Sequence, residues 1–149
     1  MVISIGCDKA GTPFVERICK ELDAKGIGYK VLFDGKEDGC DYTDAAFAVS
    51  KSVASGECEL GILICGTGIG MSMAANKIKG IRAAVCSDTF SARMTRVHNN
   101  ANILCMGARV IGEELAVCIL NEFLAGEFEK GGRHERRVNK IIDAENGKF

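Results

Sequence analysis

Residues 60–70 read LGILICGTGIG: an apolar run, a cysteine at its end, then glycines at 66, 68 and 70. Alternating glycines let backbone amides converge on an anion with no side chains in the way. A helix starting in MSMAANKI (71–78) would add the partial positive charge of its N-terminus. The anion could be a bound phosphate or an oxyanion that forms only during a reaction. Cys65 stands directly before this loop and Thr67 lies inside it. Thiols in front of helix N-termini are acidified, and a group titrating near ambient pH is a good proton shuttle. A glycine-rich turn after an ordinary buried cysteine fits the same residues. A dinucleotide fold fits them less well. Asp88 lies 20 residues past Gly68, where a ribose-binding acid belongs, but GTGIGM carries Met71 where G-x-G-x-x-G needs its third glycine.

Two further groups could take part. In EKGGRHERRVNK, Arg133 and Arg137 are spaced i and i+4, so on a helix their guanidinium groups share a face. Two forked cations after a Gly131-Gly132 hinge suit a phosphate monoester, and a solvated helix end suits them as well. His98, one of only two histidines, closes a helical stretch in RVHNNAN. There it could serve as a cation on the helix dipole or as an acid–base group, with Asn99 beside it able to donate to an oxyanion. Cysteines occur at 7, 19, 40, 58, 65, 86, 105 and 118 with no C-x-x-C pair. Several sit inside apolar runs, where reduced cysteine behaves as a small hydrophobe. Neither a disulfide scaffold nor a metal site is expected, and a reducing cytosol is.

These groups need a frame to hold them. A chain of 149 residues, 47% hydrophobic and 26% charged, reads as one soluble globular domain over 1–149. No apolar run reaches the length of a membrane span, and MVISIGCDKAG has no signal-peptide pattern and reads as a first strand. A net charge of −1 gives no reason to expect nucleic acid or a membrane as partner. Short apolar runs at 2–7, 29–34, 60–65, 81–86 and 102–107 read as strands. Helices are expected at 13–26, 44–56, 87–100 and 112–128, the last as the most amphipathic, with a basic helix at 133–145 closing the chain. The alternation predicts an α/β fold: a three-layer α/β/α Rossmann-like sandwich with a five-stranded parallel sheet plus a C-terminal helix. Functional groups in such folds gather at the carboxyl ends of strands. Those ends deliver Cys7 to Lys9, Asp34, Cys65 with its loop, Ser87 with Asp88, and Gly107 to Arg109.

Together, GCDKAG, DYTD (41–44), ICGTGIGMSMAANKIKGIRAAVC (64–86), RVHNNANILCMGARV (96–110) and GGRHERRV (131–138) resemble ribose-5-phosphate isomerase type B and the related galactose-6-phosphate isomerase subunits. The likeness runs in order through nearly the whole chain. It implies an aldose–ketose isomerase of phosphorylated sugars, working through an enediolate without metal or cofactor. Carried over, Cys65 is the base between carbons 2 and 1, Thr67 positions it, and the amides of Gly66, Gly68, Ile69 and Gly70 hold the oxyanion. His98 opens the sugar ring with Asn99 beside it. Asp8 and Lys9 border the sugar, Tyr42 packs near it, and Arg133, Arg137 and Arg109 supply cations for the phosphate. The resemblance also implies a homodimer or homotetramer with sites shared between subunits. Two departures bear on the sugar. The family usually reads Asp-His where this chain has Asp8-Lys9, and Asp-Tyr-Pro where it has Asp41-Tyr42-Thr43. Lysine keeps a cation but lacks histidine's neutral form and acceptor nitrogen, and threonine frees the backbone after Tyr42. The expected substrate is therefore ribose 5-phosphate, with allose or galactose 6-phosphate, or sugar-phosphate binding without turnover, as alternatives.

Overall fold

The computed structural model describes residues 1–37, 39 and 41–148; Cys40, counted among the thiols above, lies outside the described residues. Five strands form one parallel sheet: β1 (Val2–Cys7), β2 (Gly28–Asp34), β3 (Leu60–Cys65), β4 (Ala83–Val85) and β5 (Ile103–Gly107), in the order β2-β1-β3-β5-β4. Six helices accompany them: α1 (Thr12–Ala24), α2 (Tyr42–Ala54), α3 (Ile69–Ala75), α4 (Thr89–Asn99), α5 (Glu113–Ala125) and α6 (Arg133–Glu145). The expected α/β architecture is thus the observed one. Period-two alternation splits the apolar side chains of β3 between two cores. Leu60, Ile62 and Ile64 join Ile18, Leu22, Leu120 and Phe123 on the face covered by α1 and α5. Leu63 and Cys65 join Val49, Met71 and Ala75 on the face covered by α2 and α3. Each of these large apolar side chains is worth about 1.5–3 kcal/mol on burial, which ties β3 to both helical layers.

Local chemistry explains where the elements differ from the sequence reading. The expected strand at 81–86 shortens to Ala83–Val85. Arg82 N–H donates to the side-chain Oδ1 of Asn102 at 2.8 Å and its guanidinium to the carbonyls of Asn100 and Gly80, so only its carbonyl still faces the neighbouring strand and the regular ladder starts one residue on. α2 starts at Tyr42 rather than 44 because Asp44 accepts from the backbone N–H of Asp41 at 3.0 Å, closing the first turn early. α5 is not the most amphipathic helix. It buries Ala116, Val117, Ile119, Leu120 and Phe123, whereas α6 buries only His134 and Val138 and sets an apolar stripe of Val138, Ile141 and Ile142 against its charged residues. Gly35 has a positive φ of 73°, and a Cβ there would fall on the Asp8 carbonyl. The turn after β2 is thereby fixed against the turn after β1.

Three other thiols are buried in this frame. Burial pushes Cys7 up to about 12 and Cys86 up to about 11 from an ordinary value near 9, and Cys105, wholly enclosed, also upward. The folded chain therefore holds these protons more tightly than the unfolded chain. Their stabilising contribution is complete below pH 9 and is lost as pH rises toward the folded values. The urea midpoint is expected to be level from pH 7 to 8.5 and to fall steadily from 9 to 11, less steeply in Cys86→Ala. A midpoint unchanged over that upper range would contradict it.

Candidate active site

Cys65 is the last residue of β3 and pairs with Gly107 at the end of β5. Its Sγ accepts a hydrogen bond from the Gly68 N–H at 3.1 Å. The loop is pinned from β5: Ala108 N–H donates to the Cys65 carbonyl at 2.8 Å and Arg109 N–H to the Gly66 carbonyl at 3.0 Å. Gly68 has φ 77°, and a Cβ on it would lie 3.0 Å from the Met106 backbone. The two loops meet backbone to backbone, so glycine is required by contact as well as by dihedral angle. Thr67 Oγ1 accepts from the Ile69 N–H at 3.3 Å, tightening the entry to α3.

Of the other expected residues, Tyr42, Arg109 and Asp8 stand next to this loop or its strand, and Lys9 lies in a separate groove. The Tyr42 ring lies over Gly70 so closely that a Cβ there would come within 2.8 Å of it. The Arg109 side chain runs past Gly66, with Cδ and Nη1 at 3.5 and 3.6 Å from the position a Cβ would take. Asp8 is anchored beside the same strand end, its N–H donating to the Ile64 carbonyl at 3.2 Å. Asp8 Oδ1 accepts from the amides of Ala10 and Gly11 at 2.9 and 3.3 Å. Lys9 is exposed and lines an open groove with Thr12, Pro13, Glu16, Gly35 and Lys36. Asp88 serves as a helix cap: Oδ1 accepts from the Ser91 N–H at 2.7 Å, which holds the carboxyl below its usual range.

His98, Asn99, Arg133 and Arg137 form a second group elsewhere. α4 runs back against the strand direction, so its C-terminal His98 and Asn99 lie at the amino edge of the sheet, just before β5 begins. Cys65 lies at the carboxyl edge, beyond the five residues of β5. That is roughly 13 Å away from strand rise alone. Arg133 opens α6, with Arg137 one turn on. The His98 and His134 rings stack with centroids 4.0 Å apart and an interplanar angle of 4°. Glu129 Oε2 lies 3.4 Å from His134 Nε2. Burial, then the facing His98, push His134 below the usual histidine value. His98, Glu129 and His134 bring ligand-type atoms within 4.8 Å of one another. Imidazole lone pairs lie in the ring planes, and two parallel planes share no point for an ion, so the pair as placed is a stack and not a coordination shell. The sequence reading passed over His134 and Glu129, although GGRHERRV contains the chain's other histidine.

Comparison with known proteins shows what the whole chain is similar to. The family model described as Ribose/Galactose Isomerase matches residues 3–141. Ribose-5-phosphate isomerase B of Escherichia coli is 44% identical over 96% of this chain and 95% of its own length. D-erythrulose-4-phosphate isomerase of Pectobacterium atrosepticum is 44% identical over 93% of this chain and 91% of its own. A crystal structure of ribose-5-phosphate isomerase B from Mycoplasma genitalium with bound ribulose-5-phosphate superposes with TM-score 0.91. It shares 39% identity and covers 97% of this chain and 96% of that one. A cysteine in an amide cradle, a pair of arginines one helical turn apart and a match along nearly the whole length agree: this chain belongs to the ribose/galactose isomerase family.

Proposed function

We propose that this chain, as a single domain over 1–149, interconverts ribose 5-phosphate and ribulose 5-phosphate in the cytosol. The observation that carries the reading is the Cys65 thiol facing a loop amide, with Gly68 N–H 3.1 Å from Sγ. The ribulose 5-phosphate bound in the Mycoplasma genitalium relative supports the choice of sugar. His98 opens the furanose ring by proton transfer, giving the free aldehyde. Cys65 as thiolate then takes the proton from C2, and the electron pair of that C–H bond moves through C1–C2 to O1. The resulting enediolate is held by the loop amides of Gly66 and Gly70, with those of Gly68 and Ile69 turning to it from Cys65 Sγ and Thr67 Oγ1. A proton passes between the two oxygens, and the Cys65 thiol delivers its proton to C1. C1 is reduced and C2 oxidised within one molecule, so electrons balance with no external redox partner. Arg133 and Arg137 grip the phosphate, with Arg109 a further cation. Asp8 takes sugar hydroxyls, and Thr67 and Tyr42 shape the cradle.

The two residue groups stand at opposite edges of the sheet, so one chain does not bring His98 to its own Cys65. We place the site between two copies in a homodimer, one contributing Cys65 and its loop, the other His98, Asn99, Arg133 and Arg137.

Turnover on ribose 5-phosphate, allose 6-phosphate and galactose 6-phosphate tests the substrate. Ribose 5-phosphate is expected to give the highest kcat/KM. A six-carbon sugar in first place would overturn that assignment and move attention to Lys9 and Thr43, the two departures that border the sugar. Thermal stabilisation by all three with no turnover would make the site a binding pocket.

A further inference from the structure

His134 has no part in the scheme above, yet it touches two of its members. It is the second residue of α6, only 6% exposed, and its ring covers that of His98 face to face. Two groups lie 3.4 Å from its Nε2: the Nε–H of Arg133 and the Oε2 of Glu129. One nitrogen cannot serve both, since an acceptor Nε2 takes the Arg133 proton and a donor Nε2 turns to Glu129. The surrounding charges choose. Burial disfavours the imidazolium, as do His98 on α4 and Arg133 and Arg137 on α6, while Glu129 from the preceding segment favours it and is outweighed. Those charges favour the neutral ring, and the hydrogen bond that Arg133 Nε–H donates to Nε2 then puts the imidazole proton on Nδ1. The segment beside it is tied to α4, since Glu129 N–H donates to the Val97 carbonyl at 3.0 Å, one residue before His98.

We propose that His134 is a positioning residue for the isomerase: a neutral, buried plate that sets the plane of the His98 ring and, through Nε2, the direction of the Arg133 guanidinium. The inference rests on the assignment of His98 to ring opening and Arg133 to the phosphate. Neutrality matters because a second imidazolium stacked on His98 would oppose the charge His98 acquires while it carries the ring proton. Holding Arg133 at Nε leaves both its terminal nitrogens for phosphate oxygens. The phosphate clamp and the ring-opening group thus share one support.

Steady-state kinetics on ribose 5-phosphate for wild type, Cys65→Ala, His134→Ala and His134→Phe separate the two functions of the ring. His134→Ala loses plate and acceptor, so kcat is expected to fall about a hundredfold and KM to rise about tenfold. His134→Phe keeps a flat buried ring and loses the acceptor. Its kcat is expected to return most of the way to wild type while KM stays raised. A simple packing role would move kcat and KM together in both variants. Equal kcat in the two variants, or wild-type KM in His134→Phe, would overturn the proposal. If His134→Ala does not fold, His134→Phe decides alone by retained kcat with raised KM. Failure of the underlying reading shows separately, as wild-type turnover no higher than that of Cys65→Ala, and this inference falls with it.

Discussion

Cys65→Ala is expected to lower turnover of the aldose phosphate by about a thousandfold or more, the size of a missing general base, while the protein still binds ribulose 5-phosphate. The expectation comes from where the side chain sits. Cys65 is 5% exposed and ends a strand that is buried throughout, so alanine removes the sulfur without disturbing the ladder to Gly107. Cys65→Ser is the sharper companion, because it restores a similar shape with a hydroxyl far less able to ionise near neutral pH. Its turnover should stay close to that of the alanine variant. Isothermal titration with ribulose 5-phosphate should give dissociation constants within about threefold of wild type for both, since the base contributes to the transition state and little to ground-state binding. Turnover retained in either variant would remove Cys65 from the chemistry.

Two inactive variants are expected to make an active enzyme when paired. Cys65→Ala lacks the base, and His98→Asn should lose ring opening, falling about a hundredfold. In a heterodimer with one chain of each kind, one of the two sites receives both defects. The other combines an intact Cys65 with an intact His98 from the facing chain. Doubly tagged heterodimers purified from co-expression should therefore show about half the wild-type activity per dimer. Heterodimers as inactive as either parent would mean that each chain supplies its own Cys65 and His98. That would require His98 to reach across the length of β5, against the placement of α4.

Much of this was legible in the sequence because the signals were local. The apolar run LGILIC states its own burial, and Val2–Cys7 and Leu60–Cys65 begin and end where the pattern does. α6 likewise spans the expected 133–145, its Gly131-Gly132 entry and charged surface marking it clearly. What failed depended on contacts between distant residues. The start of β4 is displaced by Arg82 reaching Asn100 and Asn102, which no window around residue 82 reveals. The start of α2 depends on which of two aspartates caps it, a choice made by the reciprocal box between Asp41 and Asp44. In the candidate site, the glycine loop announced itself by composition, and the cations by their i, i+4 spacing. His134 did not, because a histidine inside an arginine-rich segment has no pattern of its own until α6 lays it against α4. Asp88, an acid at a suggestive distance from the loop in a motif that lacks its third glycine, has its oxygen occupied in capping α4.

The central position of β3 has a consequence for how the chain is made. Its two neighbours are β1, from the first residues, and β5, from beyond residue 100. The loop after Cys65 is closed by amides of residues 108 and 109. At ribosomal speeds of about 5–20 residues per second, β5 follows β3 by roughly two to nine seconds. Through that interval LGILIC, apolar and uncharged, presents one unpaired edge to anything nearby. The strand that carries the thiol is thus an adhesive segment of the nascent chain. Chaperones that cover it must let go in time for the last third of the protein to claim the edge.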